Sequence, residues 1–263
     1  MMSAALVERS ELEPGISQLV LNDPEVRNAM SDEMSEQFLA AVKDLRSDTS
    51  LRAVILKGAG QAFSAGGNLD MLLAKTKLAP RENRKRMETF YYNFLSLLDL
   101  EIPVIAAING HAVGAGLCIA MACDIRIAKT GSKLGANFVR LGLHPGMAAT
   151  YFLPRLVGQA KAAELLYTGR IISAEEAQTI GLVNCVASEN DFDKFVIEMA
   201  REIATAGPEA VRELKLSLRT SERETLREAL KREADCQGRN YAGKEFLEGI
   251  TAAKEKRAAK FPS

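Results

Sequence analysis

The sequence predicts an α/β fold, and three observations carry the assignment. Apolar runs of strand length, each bounded by Gly or Pro, stand at residues 53–57 and 103–108, a third strand candidate follows at 124–128, and segments of helical period alternate with them. The first two runs lead into glycine-rich turns, Phe63-Ser64-Ala65-Gly66-Gly67-Asn68-Leu69 and Asn109-Gly110-His111-Ala112-Val113-Gly114-Ala115-Gly116. Each turn can present bare backbone N–H groups at a strand end, and two such groups converging on one carbonyl oxygen make an oxyanion hole.

Taken in order, short strands are expected over 5–9 and 15–21, ahead of the turn Asn22-Asp23-Pro24. Ser31 can cap the next helix, where Met34, Phe38, Ala41, Val42 and Leu45 share one face. Strand 53–57 follows that helix directly. A second helical pattern over 86–100 leads into strand 103–108, and a buried helix opening near Ala115 leads into strand 124–128. Residues 102–123 form the longest apolar stretch, but Asn109, Gly110, His111 and further glycines interrupt it, so it reads as strand, turn and buried helix rather than a membrane span. Beyond Gly158 the pattern becomes nearly continuous helix. Ser173-Ala174-Glu175-Glu176 reads as a capping box with Gly181 as the stop, and Gly207-Pro208 opens another helix. Charge-rich amphipathic helices over 222–237 and 244–260 close the chain, with faces of the kind that pack on a neighbouring subunit.

Composition narrows the function classes. At 263 residues with 47% hydrophobic content the chain can bury a full core. Its 34 basic residues balance its 34 acidic ones, so no global field attracts nucleic acid or an acidic lipid surface. The opening residues 1–8 lack a basic stretch and reach Glu8 before an apolar segment of signal-peptide length, from which a cytoplasmic protein is expected. Cys118, Cys123, Cys185 and Cys236 show no zinc-ligand spacing and read as reduced thiols; no metal is expected.

The chain resembles the crotonase (enoyl-CoA hydratase/isomerase) superfamily nearly end to end. The residues that carry the resemblance are Leu21 through Met30 (LNDPEVRNAM), Gly58 through Leu69 (GAGQAFSAGGNL), the segment 103–124, and Leu141-Gly142-Leu143-His144-Pro145-Gly146. The resemblance implies a spiral of ββα units over residues 1–200 and a C-terminal helical trimerisation region over 201–263. It implies homotrimers, often paired into hexamers, and an acyl-CoA substrate that carries its own CoA, with no further cofactor. By position the two oxyanion-hole donors fall on the N–H groups of Gly67 and Ala115. Such donors are worth about 3–4 kcal/mol each where negative charge develops on a thioester oxygen, and Ala115 would add the positive end of the buried helix. Carried over residue by residue, Arg27 resembles the basic residue near the CoA phosphates. Ala65, Gly66, Gly67, Asn68 and Leu69 resemble the segment whose backbone meets the adenine, with Asn68 in place of the more frequent Asp. Lys256 resembles the C-terminal lysine that reaches a neighbour's nucleotide.

The sequence departs from the family pattern where hydratases carry two water-handling glutamates. Those positions fall on Cys118 and Phe138, and Gly146 stands where some isomerases place an acid. General acid–base catalysis contributes typically about 10²–10⁴-fold, so the loss bears directly on hydration. His144 is a possible base, and Cys118 is either a helix-activated nucleophile or a small buried hydrophobe. His111 is expected to pack outside the pocket. Three readings remain open: a lyase or isomerase of enoyl-CoA; a decarboxylase or thioester hydrolase that needs mainly an enolate sink; and a non-catalytic acyl-CoA-binding protein.

Overall fold

The computed structural model describes residues 5–261. A hairpin opens the chain: β1 (Val7–Glu13) pairs antiparallel with β2 (Ile16–Leu21) across Gly15, whose φ of +79° suits glycine. Helix α1 (Asp32–Ser47) starts where predicted, with the Ser31 side chain accepting the Met34 N–H at 3.1 Å. Its face of Met34, Phe38, Val42 and Leu45 is buried.

Three consecutive strand pairs then build the body. They are β3 (Ala53–Gly58) with β4 (Ala62–Ser64), β5 (Val104–Ile108) with β6 (His111–Val113), and β7 (Ile125–Lys129) with β8 (Lys133–Gly135). Helices α2 (Leu69–Lys75) and α3 (Pro80–Leu95) follow the first pair, and α4 (Ala115–Ala122) follows the second. In each pair the first strand joins a six-stranded sheet, and the second joins a smaller sheet turned away from it. The smaller sheet is completed by β9 (Ile172–Ser173), and the larger by β10 (Cys185–Ala187), in the order β1-β2-β3-β5-β7-β10. Apart from β1 with β2 and β8 with β9, neighbouring strands run parallel.

The near-continuous apolar runs of β3 and β5 follow from burial on both faces, which the middle of β7 shares. Val54, Leu56, Val104, Ala106 and Ala128 face the main core with α1, α3 and α4, while Ala53, Ile55, Ile105 and Ile127 face Phe192, Val196 and Ala200 of α8 (Phe192–Ala204). Asn109 aligns the corners between successive pairs. Its buried amide accepts the Gly58 N–H at 3.0 Å and donates to the carbonyls of Gly58 and Gly60 at 2.9 and 3.0 Å. That staple stacks one corner on the next, which brings β4 and β6 side by side.

Several expectations need correction. The helix predicted over 86–100 starts earlier, at Pro80, because proline fits a first helical turn, and gives way to a 3-10 turn at Ser96–Asp99. Strands β9 and β10 interrupt the expected helical tract, which otherwise comprises α6 (Gln159–Thr168), α7 (Ala174–Thr179), α8, α9 (Pro208–Thr220), α10 (Leu226–Tyr241) and α11 (Lys244–Glu255). Helix α5 (Ala149–Val157) precedes Gly158. Only half of the box at Ser173 forms: its hydroxyl accepts the Glu176 N–H, but the Glu176 carboxylate pairs with Arg170. The reciprocal box lies instead at Thr225 and Glu228, and it starts α10 four residues after the predicted position. Helix α11 stops at Glu255 because Lys256 turns left-handed, at φ +55°.

Candidate functional site

The end of β4 and the start of α4 meet main chain to main chain. Met30 donates its N–H to the Gly66 carbonyl at 2.7 Å, and its own carbonyl accepts the Asn68 N–H at 3.0 Å, forming a one-residue parallel bridge to Gly67. That bridge uses the peptide groups on either side of Gly67 and leaves the Gly67 N–H facing away from Met30, with no acceptor among the described residues. Ala115 is the first residue of α4, so its N–H has no acceptor within the helix, and none elsewhere among the described residues. A Cβ built on Gly66, at φ +91°, would stand 2.6 Å from the Val113 carbonyl oxygen and 3.3 Å from the Ala115 nitrogen. One built on Gly116 would stand 2.6 Å from the Ser64 carbonyl oxygen. Glycines at these two positions therefore permit the approach that places the Gly67 and Ala115 turns together. All eight residues of α4 are buried, so its positive end acts in a poorly screened setting.

Around this pair the structure arranges the residues singled out in the sequence. Cys118, one turn into α4, is fully buried, and its thiol lies 3.6 Å from the Gly146 carbonyl oxygen. Burial pushes the thiol far above its usual range, which opposes the thiolate that a nucleophile needs; the small-hydrophobe reading is the one its surroundings support. Phe138 opens the 3-10 turn Phe138–Leu141 and packs half-buried on the main core. His144 is exposed, and its Nδ1–H donates to the Pro145 carbonyl at 2.8 Å. His111, on β6, is exposed and accepts the Lys133 N–H at 3.2 Å, on the side where β8 runs. Among the described residues no cluster of three or more His, Cys, Asp or Glu could hold a metal.

Arg27 and the segment 65–69 come together: Arg27 is exposed at φ +55°, and its carbonyl accepts the Ala65 N–H at 2.9 Å. Buried Asn28 fixes that turn by accepting the Asp23 N–H and donating to the carbonyls of Ala59 and Ala62. Asn68 is the N-cap of α2, its side-chain carbonyl accepting the Met71 N–H at 3.0 Å. Asn and Asp serve equally there, which accounts for the tolerated change of residue. Leu69 begins α2 with 71% of its surface exposed. Lys256 lies exposed at the end of α11, which packs on α10 and receives the Glu209 N–H of α9 on the Glu245 carboxylate. The fold thus gathers Arg27, Ala65, Gly66, Gly67, Asn68 and Leu69, and sets Lys256 on a separate helical layer.

Sequence reasoning missed Tyr91. It lies on α3, half-buried against the main core, with its hydroxyl 2.3 Å from where a Cβ on Gly146 would stand. The signal available was its i, i+4 spacing from Met87 and its position after Phe90, which put a phenol on the inward face of an aromatic helix.

Comparison with known proteins agrees with this architecture. The family profile described as enoyl-CoA hydratase/isomerase matches residues 11–263. The chain is 36% identical over 254 residues to the crotonyl-CoA hydratase of Syntrophomonas wolfei, covering 96% of each protein. It is 34% identical over 254 residues to the 1,2-epoxyphenylacetyl-CoA isomerase of Escherichia coli, covering 96% of this chain and 97% of that protein. Among solved structures, the enoyl-CoA hydratase from Bacillus anthracis superposes with a TM-score of 0.92 at 33% identity, over 97% of this chain and 98% of that one. With the profile spanning the ββα spiral and the helices beyond it, this chain belongs to the enoyl-CoA hydratase/isomerase family.

Proposed function

We propose that the protein processes an acyl-CoA thioester whose carbonyl oxygen sits between the Gly67 and Ala115 N–H groups, so that negative charge building on that oxygen is stabilised as an enolate. The observation that carries this reading is the pair of unpartnered N–H groups on adjoining turns, one of them opening a buried helix. Arg27 and the backbone of Ala65 to Leu69 would receive the nucleotide portion of CoA, and Lys256 would serve the site of a neighbouring subunit.

Support for a trimer or hexamer lies in the helical layer. Leu214, Leu216, Leu218, Leu226, Leu230 and Leu247 are each more than half exposed. A groove of about 1010 Å³ opens between α9 and the core, lined by Leu95, Leu98, Phe152, Leu214 and Leu218. No helix among the described residues is long and apolar enough to cross a membrane.

Hydration is the less favoured chemistry, because Cys118 and Phe138 offer no carboxylate to position water. Decarboxylation of a malonyl-type thioester or thioester hydrolysis needs mainly the enolate or oxyanion sink. The test is a panel of acyl-CoA thioesters read by mass spectrometry. Water gain indicates hydration, loss of CO₂ decarboxylation, and free CoA hydrolysis; unchanged mass at a new chromatographic retention time indicates isomerisation, and bound thioester unchanged in both indicates a binding protein. In the same panel Ala115→Pro removes one N–H at a helix position that tolerates proline. Turnover by a folded Ala115→Pro protein at the parent's rate would overturn the reading.

A further inference from the structure

We propose that the Tyr91 hydroxyl is the proton donor to the α-carbon of the thioester enolate, which makes Tyr91 a catalytic residue of the site; this rests on the acyl-CoA reading above. The geometry begins at Gly146. The absence of a side chain there admits the Tyr91 ring tip, since a Cβ would stand 2.3 Å from the hydroxyl oxygen and 2.9 Å from the ring carbon bearing it. The Gly146 carbonyl oxygen in turn lies 3.6 Å from the Cys118 sulfur, and Cys118 follows Ala115 by one helical turn on the same face of α4. The phenol therefore stands near Gly146 and Cys118, one turn into the helix that Ala115 opens. Tyr91 is half-buried, and its hydroxyl makes no hydrogen bond among the described residues. A phenol held in place by packing, with its O–H unspent, is free to reach a bound ligand.

The surroundings suit a donor. Burial raises the phenol above its ordinary range, so the O–H keeps its proton at neutral pH. No carboxylate stands at residues 118, 138 or 146 to compete for that role. In the proposed step the enolate collapses to the thioester carbonyl as its α-carbon takes the phenolic proton. A Cα–H bond forms, the O–H bond breaks, and the resulting phenolate recovers a proton from solvent water. Whatever reaction generates the enolate, one solvent-derived proton ends on the α-carbon.

The experiment separates this role from the site reading. Acetoacetyl-CoA binding reports occupancy of the two-amide site, and exchange of the α-protons of butyryl-CoA in D₂O, read by mass, reports proton transfer at carbon: the small phenolate fraction of Tyr91 takes an α-proton in the reverse of the proposed step, and the phenol returns a deuteron after exchange with solvent. Tyr91→Phe should bind acetoacetyl-CoA within about threefold of the parent and melt at the same temperature, while exchange falls about 100-fold or more. Gly146→Ala keeps the hydroxyl but displaces it, and should lower exchange in the same direction with binding retained. Exchange by Tyr91→Phe at the parent's rate, or binding by the parent with no exchange at all, would overturn the role of Tyr91 and leave the site reading intact. Loss of binding and exchange together in Tyr91→Phe would make Tyr91 a structural residue and equally overturn it. Failure of the parent to bind acetoacetyl-CoA would overturn the site reading, and Tyr91 as its donor with it.

Discussion

Replacing Gly66 by alanine tests the close approach on which the site depends. The new Cβ would stand 2.6 Å from the Val113 carbonyl oxygen, where ordinary contact begins near 3.4 Å, so the two turns must separate by about 0.8 Å or distort. The backbone at φ +91° adds about 1–2 kcal/mol of strain for any residue with a Cβ, and overpacking about 1–3 kcal/mol, for a loss of about 2–5 kcal/mol in stability. If the Gly67 and Ala115 amides serve one oxygen, a displacement of that size should disengage at least one of them, and turnover should fall about 10²–10³-fold. Gly131→Ala supplies the comparison: φ is +81°, but nothing lies within 4 Å of its Cβ, so only the strain of about 1–2 kcal/mol applies and turnover should not change. Urea unfolding gives the stability difference, and acyl-CoA turnover or acetoacetyl-CoA affinity gives the functional one. A Gly66→Ala protein no less stable than Gly131→Ala would refute the packing argument. One that is destabilised yet retains full turnover would refute the use of the amides.

Further outcomes are expected elsewhere. Asp124→Ala leaves the Lys215 ammonium, itself 5% exposed and 2.7 Å from that carboxylate, with only the Ile102 carbonyl, and should cost about 2–3 kcal/mol in urea unfolding, the partial exposure of Asp124 moderating the loss. A thiol reagent applied to the native protein should modify Cys185 and Cys236 well before Cys118 and Cys123, and mass mapping that found Cys118 labelled first would contradict its burial. Burial pushes Cys123 up to about 12 from an ordinary 9.0. The stability carried by its protonated form is therefore whole below 9.0 and is drawn down as pH rises toward 12, a loss that Cys123→Ala should reduce in alkaline melts. Crotonyl-CoA hydration by the parent should be weak; brisk hydration, indifferent to His144→Ala and Cys118→Ala, would show that a carboxylate outside residues 118 and 138 handles the water.

The large sheet was legible in the sequence because burial on both faces writes itself as unbroken apolar runs, as at Val54-Ile55-Leu56 and Val104 to Ile108. The smaller sheet was not. Strands of three residues such as Ala62–Ser64 and His111–Val113 are too short to show a period, and they exist because Asn109 stacks the corners that feed them. Both glycine turns were visible, since only a few residue types tolerate such backbone. That Gly66 would lie against Val113 and Ala115 is a property of the spiral and not of either segment. Tyr91 was hidden for the same reason: its neighbour Gly146 is 55 residues away in sequence, and a missing side chain leaves no mark of what fills its place.

The Gly67 and Ala115 amides belong to the main chain, and this gives the site a particular kind of heritability. Mutation can exchange the side chains at positions 91, 118, 138 or 146 without touching either amide, and only proline at 67 or 115 would delete one outright. A lineage built on this spiral can therefore drift through one set of proton-handling groups after another while the charge-accepting device persists as topology. For an engineer the same separation is an opportunity, because new chemistry can be sought by varying those four positions on a scaffold whose donors no library of side chains can erase.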